Sequence, residues 1–160
     1  MKNSATGPAG DRWGDMPPCR TGDRLQATGN RPWGLRRGSD IAERLLGLAA
    51  AAVRLAPRLP RDPAGRHVAA QLIRSATGGG ANYEEARAAE SRDDFAHKVT
   101  VAAKEVRETV FWLALIERCG WVAPDQTAGL LAEANELAAI LGASVRTARA
   151  RAAVAPPPRR

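Results

Sequence analysis

A chain of 160 residues makes one domain, or two small ones. Hydrophobic residues are 44%, charged residues 26% and aromatics only 4%, and β-branched residues are few beside abundant Ala, Leu, Glu and Arg, a mixture that suits helices and argues against a sheet-built core. No uninterrupted run approaches the roughly 18 apolar residues typical of a membrane span, which excludes a transmembrane reading at this level.

The net charge of +7 and pI near 10.6 invite a nucleic-acid reading, but the distribution of charge matters more than its total. Residues 1–39 hold seven Lys/Arg and three Asp, a net of +4; residues 40–142 hold twelve against fourteen, a net of −2; residues 143–160 hold five Arg and no acid, a net of +5. The basicity belongs to the two ends. If nucleic acid is bound, Arg36, Arg37, Arg146, Arg149 and Arg151 are its candidate contacts.

In chain order, residues 1–39 carry seven of the fifteen glycines and four of the eleven prolines without a hydrophobic period. Such a stretch cannot bury enough apolar surface to offset its ordering entropy, and it is expected to be a disordered basic arm. Trp13 and Trp33 are unusual there; they read either as anchors for a partner or as residues in front of a domain whose true start lies further on. Cys19 and Cys119 stand far apart with no metal-ligand spacing, so two free thiols in a reducing cytoplasm are expected. No apolar segment follows Lys2, as a secretory signal needs, and Asp40, Glu43 and Arg44 spoil a twin-arginine reading of Arg36-Arg37.

From Asp40 the pattern changes. Asp40 with Glu43 resembles a capping box, and Ile41, Leu45, Leu48, Ala52 and Leu55 recur at helical spacing until Pro57 and Pro60 stop them. Asp62-Pro63 opens a second helix, with the proline at a first-turn position and Val68, Leu72, Ala76, Gly79, Tyr83 and Ala86 in one stripe. Ser91 with Asp94 opens a third, with Phe95, Val99, Ala102, Val106, Val110, Leu113 and Ile116 in phase until Gly120. Pro124-Asp125 opens a fourth, carrying Leu130, Ala134, Leu137, Leu141, Val145 and Ala148. Four amphipathic helices with short joints predict an all-α, antiparallel four-helix bundle over residues 40–150, followed by a short basic, proline-rich tail at 151–160.

Candidate chemistry is sparse. Gly78-Gly79-Gly80 lies inside the second helix without a preceding strand or GxxxxGK pattern, and close helix–helix packing explains it better than a phosphate turn. A bundle di-iron site needs two Glu-x-x-His motifs, and Asp94-x-x-His97 is the nearest approach. Glu105 and Glu108 share a helical face and could act as acid and base, but with no partner histidine or nucleophile, ion pairing with a neighbouring helix is the commoner role. No cofactor or metal is expected, and enzymatic function is disfavoured. Val110–Ile116 is apolar all round, so Phe111 and Trp112, about 100° apart on a helix, cannot both enter one core. They are the candidate contact of a homo-oligomer.

Two stretches carry a resemblance. Gln71-Leu72-Ile73-Arg74-Ser75-Ala76-Thr77 with Gly80-Ala81-Asn82-Tyr83-Glu84-Glu85-Ala86 is one. Asp94-Phe95-x-His97-Lys98 with Ala103-Lys104-Glu105-x-Arg107-Glu108-Thr109-x-x-Trp112-Leu113 is the other. Together they resemble the bacterial four-helix-bundle family first named for open reading frames in intervening sequences of 23S ribosomal RNA genes, over about Ile41 to Arg149. The resemblance implies a small cytoplasmic bundle, of a family with no established enzymatic activity, that assembles into a cyclic homo-oligomer, typically a pentamer. A related branch serves diversity-generating retroelements as an accessory protein that engages a reverse transcriptase and nucleic acid. Two departures matter: Gly78-Gly79-Gly80 replaces the usual Ser-x-Gly before Ala-Asn, and the central region is slightly acidic, which weakens the transfer of an RNA-binding role. Arg74, Asn82, Glu105 and Glu108 are expected as buried polar residues with structural roles.

The leading functional reading is an RNA-associated or adaptor subunit; the alternatives are a structural or protein-interaction module without nucleic-acid contact, or an accessory protein of a diversity-generating retroelement.

Overall fold

The computed structural model describes residues 39–154. Arg36 and Arg37, Trp13 and Trp33, Cys19 and the proline run of the tail lie outside them. Helix α1 runs Ser39–Leu55 and passes through a single 3-10 turn, Ala56–Arg58, toward α2, Pro63–Arg87; α3 spans Arg92–Arg118 and α4 spans Pro124–Val154. No strand occurs among the described residues.

Local chemistry sets the boundaries. At the start of α2, the Asp62 side chain accepts a hydrogen bond from the Gly65 amide at 2.8 Å, and Pro63 occupies the first helical position. Ser91 caps α3 in the same way, accepting from the Asp94 amide at 3.1 Å. At the other end of α3, Gly120 takes a φ of 62°, the left-handed conformation that glycine adopts without strain. The Gly120 amide donates to Glu117 O at 3.0 Å and that of Trp121 to Ile116 O at 3.4 Å, the Schellman pair that satisfies the last carbonyls. The capping-box reading of Asp40 needs correction: the helix already includes Ser39, and Asp40 sits in its first turn. A second correction concerns the tail. Helix α4 includes Val154, four residues past the expected boundary, at the end of the described residues.

Packing follows the sequence stripes closely. Leu45, Leu48, Ala52 and Leu55 of α1 are buried, as are all six residues of the α2 stripe from Val68 to Ala86. Val99, Ala102, Val106, Leu113 and Ile116 of α3 and Ala134, Leu137 and Leu141 of α4 complete the core. Each leucine buried this way contributes about 1.5–3 kcal/mol of transfer free energy. Helix α3 packs most extensively on α2 and α4, and α1 closes the ring against α2 and, more lightly, α4. Helices α1 and α3 therefore stand on one diagonal of the bundle. Between α2 and α3 the facing residues run in opposite senses, with Ser75 beside Thr109, Gly79 beside Val106 and Glu85 beside Lys98, so the pair is antiparallel.

The glycine triplet is a contact surface. A β-carbon on Gly79 would fall 2.8 Å from Val106 Cγ2, so the missing side chain is what lets α2 and α3 approach there, and α2 continues unbroken through all three glycines. On α4, Pro124–Ala150 contains an 18-residue window with a mean hydropathy of 1.3, long and apolar enough by length and composition to cross a bilayer. Scattered alanines supply much of that value, so it arises without any long uninterrupted apolar run. Leu137 and Leu141 are spent on the bundle core, whereas Leu130, Leu131 and Ile140 are half-buried.

Candidate functional site

The residues of both sequence motifs meet on the face shared by α2 and α3. Arg74 follows Ile73 on α2 and points off the buried stripe toward α3. Its Nη1 lies 3.4 Å from Glu105 Oε2, its Nη2 pairs with Glu108 Oε1, and its Nε donates to Gln71 Oε1 at 2.9 Å. One turn beyond Glu108, Trp112 donates from Nε1 to the same Glu108 oxygen at 3.1 Å. His67 stands edge-on to the Trp112 ring, centroids 5.8 Å apart, and Phe111 does so at 4.9 Å. A polar chain from Gln71 through Arg74 and Glu108 thus runs into an aromatic group of His67, Trp112 and Phe111.

The electrostatics are those of a fastening. Hydrogen bonds from Arg74 and then from Trp112 hold the Glu108 carboxyl below its usual range against a smaller opposing effect of burial. A carboxylate kept ionised in this way is poorly set to deliver a proton near neutral pH. Glu105 and Glu108 therefore take the ion-pairing role. Among the described residues no three His, Cys, Asp or Glu side chains converge as a metal ion would require.

Several expected placements change. Arg74 is not buried: its side chain is 52% exposed, with Glu105 and Glu108 partly covered beneath it at 21% and 34%. The stripe of α2 passes through Leu72, Ser75 and Ala76, and Arg74 projects to one side of it. Asn82 is half-buried and spends its amide within its own helix, donating to Gly78 O at 2.9 Å. It lies two heptads after Val68, and a straight helix drifts by about 20° per heptad, which carries Asn82 off the buried seam that Tyr83 occupies. The interior polar contact belongs to residues that the sequence did not single out. Thr109 Oγ1 lies 3.0 Å from Ser75 Oγ, both fully buried between α2 and α3. Their signal was available, since each stands in phase with an apolar stripe.

Phe111 is 58% exposed while Trp112 is half-covered, so one of the two rings does lie outside its own core. Leu46 and Val53, two turns apart on α1, are the other large apolar side chains exposed among the described residues. Arg146 and Arg149 are exposed on α4, and Arg151 belongs to the last turns of that helix. Elsewhere, Arg44 on α1 reaches α4, donating from Nε and Nη2 to the two Glu133 oxygens at 2.7 and 3.0 Å, with Glu136 Oε2 also 3.0 Å from Nη2. An open groove of about 790 Å³ lies between the α2–α3 joint and α4, with Phe95, Ile140 and Ala143 among its walls.

Fold and face together define a small four-helix bundle whose sequence motifs fasten α2 to α3 and leave an aromatic ring bare. The chain belongs to the 23S rRNA-intervening sequence protein family, whose model matches residues 38–143. It is similar to a protein of unknown function from the S23 ribosomal protein family of Bacteroides thetaiotaomicron, at 30% identity and a TM-score of 0.61, over 66% of this chain and 97% of that one. No curated protein matches.

Proposed function

We propose that this protein is a non-enzymatic, self-associating bundle that works as a cytoplasmic adaptor subunit. The observation that carries the reading is the placement of its bare apolar side chains. Phe111 projects from α3, whereas Leu46 and Val53 project from α1, the helix diagonal to it. Two different patches on opposite sides of one molecule suit a head-to-tail contact, and head-to-tail contacts close into rings when the rotation between copies divides a full turn. The family resemblance implies a cyclic homo-oligomer, with five copies as its expected number.

Light scattering on the full chain at micromolar concentration tests this. Phe111→Ser alone, and Leu46→Ser/Val53→Ser alone, should each be monomeric, because aromatic and apolar anchors commonly cost about 2 kcal/mol or more on truncation. Mixed together, the two variants should form a dimer and nothing larger, since each retains the patch the other lacks. A monomeric wild-type chain would refute the reading.

A second reading, association with RNA, is supported by the acid-free end of α4. No Asp or Glu follows Glu136 in the sequence, and Arg146 and Arg149 face solvent there. The binding of full-length protein to RNA, followed as salt is raised, tests it: affinity drawn from phosphate contacts must fall steeply with salt.

A further inference from the structure

Two arginines from adjacent helices converge on one glycine. Measured from where a β-carbon on Gly142 would stand, Arg146 Nη1 is 3.6 Å away and Arg107 Nη2, coming from α3, is 3.8 Å away. The two guanidinium tips are thus no farther apart than those two contacts laid end to end. Neither takes part in an ion pair among the described residues. The carboxylates that might have neutralised them are engaged elsewhere: Glu105 and Glu108 by Arg74, Glu136 by Arg44.

Like charges brought together without a counter-charge repel, and an anion seated between them removes that repulsion. The guanidinium fork matches phosphate oxygens in particular, through paired N–H donors. Lys104 lies one turn before Arg107 and Arg149 one turn after Arg146; both are solvent-facing and neither is in an ion pair among the described residues. Cations in two rows along neighbouring helices form a strip, which suits an extended polyanion better than a single small anion.

We propose that the notch over Gly142 grips the phosphate backbone of a nucleic-acid strand, with Arg107 and Arg146 sharing one phosphate and Lys104 and Arg149, one turn along in the same direction on their antiparallel helices, meeting the next. This rests on the RNA reading and gives it a site on the body of the bundle. Gly142 is essential to the grip, because its bare backbone forms the floor on which the guanidiniums meet.

Fluorescence anisotropy of the full chain with a short labelled single-stranded RNA, and with DNA of the same sequence, tests the notch. Arg107→Gln and Arg146→Gln should each weaken binding, and together they should cost about fivefold near 0.1 M salt and reduce the slope of log K against log salt by about 0.7, the loss of one phosphate contact. Gly142→Leu keeps every charge but places a branched side chain between the guanidiniums. It should weaken binding to a similar extent while melting no lower than wild type, since leucine is the better helix former. RNA and DNA should bind alike, and a preference beyond about tenfold for either would overturn phosphate gripping as the source of affinity. If Gly142→Leu and both arginine variants bind like wild type while Arg36→Gln/Arg37→Gln loses binding, the notch is wrong and the RNA reading stands. If the wild-type chain binds neither strand even at low salt, both fall.

Discussion

Thr109 on α3 places its Oγ1 3.0 Å from Ser75 Oγ on α2, a hydroxyl pair sealed inside an otherwise apolar core. Each hydroxyl also has an acceptor on its own helix, Leu72 O at 3.3 Å for Ser75 and Glu105 O at 3.0 Å for Thr109. Removing one partner therefore leaves the other a fallback. Thr109→Val should destabilise the bundle by about 1 kcal/mol, and Ser75→Ala by a similar amount. The double variant should lose clearly less than the two single losses together. Urea unfolding of all four proteins measures the coupling, and strict additivity would show that the contact contributes nothing.

The close approach at Gly79 gives a second expectation. Alanine there should gain up to about 1 kcal/mol of helix propensity but collide with Val106 Cγ2, and overpacking commonly costs about 1–3 kcal/mol. We expect net destabilisation by Gly79→Ala, relieved when Val106→Ala is added. Gly47 is the contrast: a β-carbon there meets nothing within 4 Å, and Gly47→Ala should raise the melting temperature. Thermal unfolding of the three variants decides the matter.

Acid should loosen the bundle through its fastened carboxylates. Arg74 and Trp112 hold Glu108 below the ordinary carboxylate range, and Arg44 does the same to Glu133. A depressed folded value means the stabilisation is fully present above the unfolded value near 4.5 and is lost as pH falls through the folded one. The melting temperature should therefore drop below about pH 4.5, and Glu108→Gln/Glu133→Gln should flatten that drop. An unchanged acid profile in the double variant would show that these pairs do not contribute.

Arg44 joins α1 to α4 where those helices touch lightly. Arg44→Met keeps the aliphatic stem and deletes the fork. Hydrogen exchange should then quicken in α1 before the other helices, and the difference from wild type should shrink as salt is added, because the pairs are open to solvent. Equal exchange in both proteins would count against the link.

How much of this was legible beforehand differs by residue. The spacing of Leu45, Leu48 and Leu55, or of Val99, Val106 and Leu113, announces a buried face because the α-helical period is a local property. The caps Asp62 and Ser91 and the terminator Gly120 are equally local, since each acts on backbone groups within a few residues. Helix number, order and core residues could therefore be read without the fold.

Pairings between helices could not. Nothing in the spacing of Arg74 says that it faces Glu105 and Glu108 on the next helix, or that Asn82 drifts off the seam while Ser75 stays in it. That depends on the register between α2 and α3, fixed by close packing at Gly79. Arg107 and Arg146 lie far apart in a sequence whose middle is acidic, so charge counted along the chain disperses them. Only the antiparallel pairing of α3 with α4 brings both guanidiniums over Gly142. Local periodicity determined which faces are buried, whereas the tertiary register decided which polar side chains meet, because that register is set by long-range packing that no short stretch of sequence encodes.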